Sequence, residues 1–266
     1  MQWIACAAAA FVIVGCAALR TPAASSERFA AIVASADRAP ADRVNDQRRK
    51  PVDMLTFIDV RPGATALDLS AARGYTTELI ARAVTPSGRV YAQNAPRDPA
   101  RMPPPQAEGR AAPPPAAASA TPPAPTLVER AARMSHIVPL TRPFEDPLPP
   151  EVAAGSIDLA TLMFNYHDLG HLRVDRARMN QAVFRAMRSG GVYVIADHAG
   201  RPGTGISESG TLHRVEEEFV VREVEAAGFR LAGRGAFLRN PNDPRDRNTP
   251  VPAMPKDQFV LKFVKP

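Results

Sequence analysis

The chain has 266 residues, 45% of them hydrophobic and 23% charged, with a net charge of +6. This balance suits a globular protein with a sizeable core and excludes a collagen-like repeat, a disulfide scaffold and a polytopic membrane protein. The positive charge is not a nucleic-acid footprint: only Lys50, Lys256, Lys262 and Lys265 are lysines, acids sit among the arginines throughout, and no basic run is interleaved with aromatics. No nucleic-acid partner is expected.

From Trp3 to Leu19 the chain carries no charge, and the segment ends in Ile13-Val14-Gly15-Cys16. This block resembles the bacterial lipobox, in which the cysteine receives a diacylglycerol and becomes the first mature residue; two acyl chains anchor far better than one. Residues 1–20 are therefore read as a leader, Cys16 as the lipidation site, and the protein as exported and membrane-tethered on the periplasmic face. The alternatives are an uncleaved N-terminal helix or a cytoplasmic protein. The only cysteines, Cys6 and Cys16, both fall in this leader, which suits an oxidising compartment and excludes a thiol nucleophile.

Residues 21–44 read as a tether and lead-in helix, and residues 45–266 as one domain. Pro51 to Ile58 has helical spacing, capped by Asn45 or a neighbour. Ala64 to Leu69 is a short buried strand, Tyr75 to Val84 a helix with Leu79, Ile80 and Ala83 on its apolar face, and Arg89 to Gln93 a second strand. Within 95–125, 21 of 31 residues are Pro or Ala, so this stretch is a surface insertion that builds neither ladder nor helix. Alternation then resumes. Thr126 to Met134 is a helix, His136 to Leu140 a strand, Ser156 to Phe164 a strand buried on both faces, Val174 to Met187 a helix ended by Ser189-Gly190-Gly191, and Val192 to Ala196 the fifth strand. Leu212 to Ala227 reads as one long helix closed by Gly228, and Phe229 to Leu238 and Gln258 to Val264 as terminal strands. This order implies an open, mostly parallel α/β sheet.

Ligands of such sheets bind beyond the carboxyl ends of the strands. The residues there are Asp68-Leu69-Ser70-Ala71-Ala72-Arg73-Gly74-Tyr75-Thr76 after the first strand, Asn165-Tyr166-His167-Asp168 after the fourth, and Asp197-His198 after the fifth. The first block resembles motif I of the class I S-adenosylmethionine-dependent methyltransferases, an acid followed by alternating glycines before a helix. With Gly74 to Leu79, Asn165 to Asp168, Asp197 to Gly205, Thr211 to Arg214, Glu223 to Phe229 and Phe237 to Pro241, the chain is similar to a bacterial family of often exported methyltransferases. The likeness covers about residues 45–94 and 126–266. It implies the Rossmann-like seven-stranded sheet with an antiparallel last strand and helices on both faces, S-adenosylmethionine as cofactor and a small-molecule acceptor. It places Asp68, Ser70, Ala72, Gly74, Tyr75, Asn94 and Asn165 at the cofactor.

The chain departs from that pattern at Ser70 and Ala72, where glycines stand in the family, and at Asn94, where an acid binds the ribose hydroxyls. Arg142 follows the third strand, where an acid meets the adenine amine, with Glu145 and Asp146 just beyond. A nicotinamide dehydrogenase fits worse, lacking two glycines and the distal acid. His167 is the expected base, tuned by Asp168, with Tyr166 bonding the acceptor; the alternative is that His167 and Asp168 cap a helix. Asp197, His198 and His213 are expected around the substrate, the loop from Ala199 to Gly205 forming a mobile lid and His213 lying on a helix face. Asp197, His198 and His167 also suggest a metal, but their spacing matches no metal motif and none is expected. The competing function is an inert ligand-binding lipoprotein that kept the fold while motif I decayed.

Overall fold

The computed structural model describes residues 22–96, 122–250 and 252–266. The leader with Cys16 and most of the Pro/Ala-rich insertion lie outside them. The elements run α1 (Pro22–Ala34), α2 (Pro40–Arg49), α3 (Pro51–Ile58), β1 (Thr65–Leu69), α4 (Tyr75–Val84), β2 (Arg89–Asn94), α5 (Leu127–Arg133), β3 (Ile137–Thr141), β4 (Ile157–Met163), α6 (Asp168–His171), α7 (Arg176–Ala186), β5 (Met187–His198), α8 (Glu217–Ala226), β6 (Arg230–Gly235) and β7 (Gln258–Val264). The seven strands form one sheet in the order β3-β2-β1-β4-β5-β7-β6. β1 to β5 pair in parallel, and β7 runs antiparallel between β5 and β6. This is the mostly parallel sheet the element order implies, with the seven strands and antiparallel last strand that the resemblance implies.

Each sheet face carries its own core, because successive strand residues point to opposite sides. Along β5, Tyr193 and Ile195 join Met179, Val183 and Val220 of the α7 and α8 side. Val194 and Ala196 join Ile58, Leu79 and Ile80 of the α3 and α4 side. The order reverses at β1 and β4, so the ends of β1, β4 and β5 face one crevice.

Five expectations are corrected by the structure. Residues 22–44 pack rather than trail: Phe29 on α1 is 0% exposed, a burial worth roughly 1.5–3 kcal/mol. Buried Arg130 on α5 binds Asp42 of α2 and Glu78 of α4, locking the lead-in helices to the domain. The cap of α3 is Lys50, in a left-handed conformation (φ 44°), while Asn45 lies inside α2. Ser189-Gly190-Gly191 falls within β5, because α7 already ends at Ala186.

The predicted helix from Leu212 begins only at Glu217. Arg214, 0% exposed, turns inward to Asp243 (2.8 and 3.1 Å) and the Ala199 carbonyl (3.0 Å), and a buried cation so satisfied cannot occupy a solvent-facing helical turn. The adjoining Val215 bridges Ala199. The Ala199–Gly205 loop, expected as a mobile lid, is therefore tied down: the Gly200 N–H donates to the Val215 carbonyl and the Gly205 N–H to the Glu216 carboxylate. No helix among the described residues is long and apolar enough to cross a membrane.

Candidate active site

The loop after β1, the block that resembles motif I, is left-handed at three positions although only one of them is a glycine. Ser70 (φ 54°) and Ala72 (φ 50°) adopt the left-handed conformation, as Gly74 does (φ 85°). Side chains from the end of β2 hold them there. Gln93, fully buried, accepts from the Ser70 N–H (3.0 Å) and donates to the Arg142 carbonyl (2.6 Å). Asn94 accepts from the Ala72 N–H (2.7 Å) and donates to the Ala72 carbonyl (3.1 Å). A carboxylate at position 94 has no proton for the second bond, so the amide is matched to this loop rather than free for a ligand.

Gly74 answers a packing demand. A Cβ there would sit 2.9 Å from Leu127 and 3.0 Å from Arg130 of α5. Asp68 is buried at the root of the loop, its oxygens taken by Thr77 (2.6 Å) and Thr161 (2.8 Å). Burial pushes its pKa up to about 6, against the pull of those hydroxyls. Tyr75 donates its hydroxyl to Asp46 on α2 (2.7 Å). Over the loop lies a pocket of about 240 Å³ lined by Asn45, Arg48, Arg49, Ser70–Arg73, Thr76 and Met163, among others. Arg48 also borders a wider cleft of about 920 Å³ that reaches His198, Arg239 and Lys256.

At the ends of β4 and β5 the polar groups form one chain. The Ser70 hydroxyl donates to Asn165 (2.6 Å), whose amide donates to Asp168 Oδ2 (2.7 Å). Asp168 Oδ1 faces His167 Nε2 (3.1 Å) and His213 Nδ1 (3.2 Å). Asp197, 0% exposed, accepts from His167 Nδ1 (2.6 Å), the His167 N–H (2.7 Å) and the His198 N–H (2.7 Å). The network thus brings together Ser70, Asn165, His167, Asp168, Asp197 and His213, and places His198 beside them with its ring 5.4 Å from that of His167.

Several roles change. Tyr166 turns away into the core, fully buried, its hydroxyl held between Glu223 (2.8 Å) and Asn180 (3.0 Å), so it reaches no acceptor. His213 lies on a left-handed turn (φ 51°), not a helix face. Burial pulls the His167 pKa down, but Asp197 and Asp168 raise it further, to about 10. With a carboxylate at each nitrogen, His167 is held as imidazolium near neutral pH, a poor resting base. Burial drives His198 down to about 3 and keeps it neutral.

Sequence reasoning missed three members. Gln93 gave a faint signal, as a polar residue closing an apolar strand. Phe164 takes a left-handed conformation (φ 60°) at the end of β4, which a bulky side chain rarely does, and its ring lies 3.7 Å under the guanidinium of Arg49. Arg49 closes α2, ahead of the first predicted helix of the domain, and gave no signal. Burial lowers its pKa to about 10, with Arg48 adding to the shift. It lines the pocket over the loop and makes no ion pair among the described residues, the field of Asp197 only partly opposing the shift.

The raised His167 value has a measurable sign. Its stabilisation is complete below about pH 6.5, the ordinary histidine value, and is lost as pH rises through about 10. In an NMR titration of the ring we expect His167 to remain protonated at pH 8 and Asp197→Asn to return it toward about 6.5. A wild-type ring that titrates below pH 7 would contradict this electrostatic account.

No protein-family model matches the chain. Among curated proteins it is 51% identical to the protein-L-isoaspartate O-methyltransferase of Aeropyrum pernix over 39 residues, only 15% of each chain. Among solved structures it resembles a SAM-dependent methyltransferase from Aquifex aeolicus, with a TM-score of 0.53 and 14% identity over 92% of this chain and 98% of that one. It also resembles the [4+2]-cyclase SpnF, with a TM-score of 0.52 and 14% identity over 82% of both chains. At these identities the likeness concerns architecture, and the chain has the class I methyltransferase fold, with its polar network at the strand ends where that fold binds ligands.

Proposed function

We propose that the protein is an S-adenosylmethionine-dependent methyltransferase acting on a small molecule. The observation that carries this is the motif I loop: three left-handed residues at 70, 72 and 74, splinted by Gln93 and Asn94, beneath a pocket whose wall offers the unpaired guanidinium of Arg49. That set fits an adenosyl amino acid. Its carboxylate suits Arg49, and its nucleoside suits the small side chains of Ser70, Ala71 and Ala72. The cofactor supplies an electrophilic sulfonium methyl group, and the chain's task is alignment of the acceptor.

The wider cleft suits that acceptor. Arg48, Lys50, Arg239 and Lys256 line it, with His198 and five side-chain amides on the same walls and no carboxylate among its described lining residues. Burial, with the charge of Arg214, lowers the Lys256 pKa to about 8, so its ammonium binds an anionic group or, deprotonated, accepts a proton. An acceptor bearing a carboxylate or phosphate is the class that this lining favours. His167, as a fixed imidazolium, orients groups at the strand ends rather than removing a proton.

A second reading, ligand binding without methyl transfer, draws on the loop amides: those of Ser70, Ala71, Ala72 and Gly74 are all bonded within the chain, leaving fewer donors for a cofactor. Calorimetric titration with S-adenosylmethionine and S-adenosylhomocysteine separates the readings. We expect micromolar binding, abolished by Thr76→Trp, which fills the pocket from the first turn of α4 while removing no hydrogen bond described above. No binding by a folded sample would exclude the methyltransferase reading.

The lipobox block supports export and a lipid anchor at Cys16. Cys16→Ser is expected to move the mature protein from the membrane fraction to the soluble one; undiminished membrane association would end that reading.

A further inference from the structure

Four of the five histidines in the chain, His167, His171, His198 and His213, gather around Asp168 and Asp197. We propose that His167, Asp168 and His213 form a binding site for a divalent first-row transition-metal ion.

The geometry is close to a coordination sphere. His167 Nε2 and His213 Nδ1 lie 3.1 and 3.2 Å from the same oxygen of Asp168, and one ligand atom from each residue falls within 4.8 Å of the others. A tetrahedral ion with bonds of about 2.0–2.1 Å separates its ligands by about 3.3 Å. Two edges therefore stand near the required length, and rotation of the half-buried His213 ring would adjust the third. Two imidazoles and one carboxylate select ions such as zinc, cobalt, manganese or ferrous iron over magnesium and calcium, which prefer all-oxygen shells.

The surrounding groups orient these ligands as a metal requires. The Asp197 carboxylate accepts from His167 Nδ1, which fixes one proton there and turns Nε2 toward Asp168; the ion would displace the second proton of the imidazolium, on Nε2, so that uptake releases a proton. This carboxylate–histidine pairing is the usual support of a metal-bound imidazole. Asn165 holds Asp168 Oδ2 and leaves Oδ1 to the two histidines. His171 Nδ1 is 3.8 Å from that oxygen but engages the Ser209 hydroxyl at 2.9 Å, so it stays at the rim. Through Asn165 and Ser70 the ion would stand two hydrogen bonds from the motif I loop. The site does not depend on methyl transfer, since metal binding is read without S-adenosylmethionine.

The test uses the full chain, stripped with chelator and titrated with cobalt(II), then zinc(II). We expect one cobalt per chain with visible d–d absorption, displaced by zinc, and zinc-induced shifts of the His167 and His213 ring resonances. Asp168→Ala and His213→Ala should each weaken binding at least about tenfold, and Asp197→Asn by about 10–100-fold, with circular dichroism confirming that each variant folds. His171→Ala should leave affinity unchanged. Absence of saturable cobalt uptake by the wild type, ring resonances unmoved by zinc, or uptake equal in the folded Asp168→Ala and His213→Ala variants would overturn the site.

Discussion

The carboxylate of Asp197 is the constraint on which the site depends. It sits at the end of β5, wholly buried, and spends its oxygens on the backbone and ring of His167 and the backbone of His198. Those bonds fasten the turn after β4 to the end of β5, so two strand ends open onto the crevice in one fixed relation. A buried carboxylate is tolerated only when paired and hydrogen-bonded, and removing one partner of such a pair costs about 3–5 kcal/mol. The His167 imidazolium is that partner, and its other nitrogen passes the charge on to Asp168. Electrostatics at the base of the site thus set where Asp168, Asn165 and finally Ser70 come to rest.

Backbone strain is concentrated at the same place. Of the eight non-glycine residues with positive φ among those described, Ser70, Ala72, Phe164 and His213 border the crevice. Each costs about 1–2 kcal/mol against a relaxed conformation, and such strain persists where the surroundings over-determine it. The Gln93 and Asn94 bonds to the loop, each worth about 0.5–1.5 kcal/mol, are of the size needed to offset it. The non-glycine residues at 70 and 72 and the amide at position 94 are therefore parts of one arrangement. A loop with glycines needs no such splint.

Much of this was legible in the sequence where the signal was local. The apolar runs at 64–69 and 156–164 and the alternation at 258–264 gave strands to within a residue at each end, and the 3.6-residue spacing at 75–84 gave α4 at its observed bounds. The strand-end rule then drew attention to Ser70, Asn165, His167, Asp168 and Asp197 before any coordinates. What failed was set by partners far along the chain. Arg214 leaves the helical pattern because Asp243 waits 29 residues later. The lead-in helices pack because Arg130 reaches Asp42 88 residues away. Arg49 enters the pocket from the end of α2, a polar stretch with no motif to mark it. His213 belongs to the histidine cluster only because a left-handed turn brings its ring onto Asp168.

The most direct test of the account is a crystal structure of the full chain with S-adenosylhomocysteine. The account places the ligand over Ser70–Gly74 with its carboxylate on Arg49, the Asp197–His167–Asp168 chain intact beside its sulfur. A ligand seated instead in the wide cleft beside Lys256, or no ligand at saturating concentration, would contradict it.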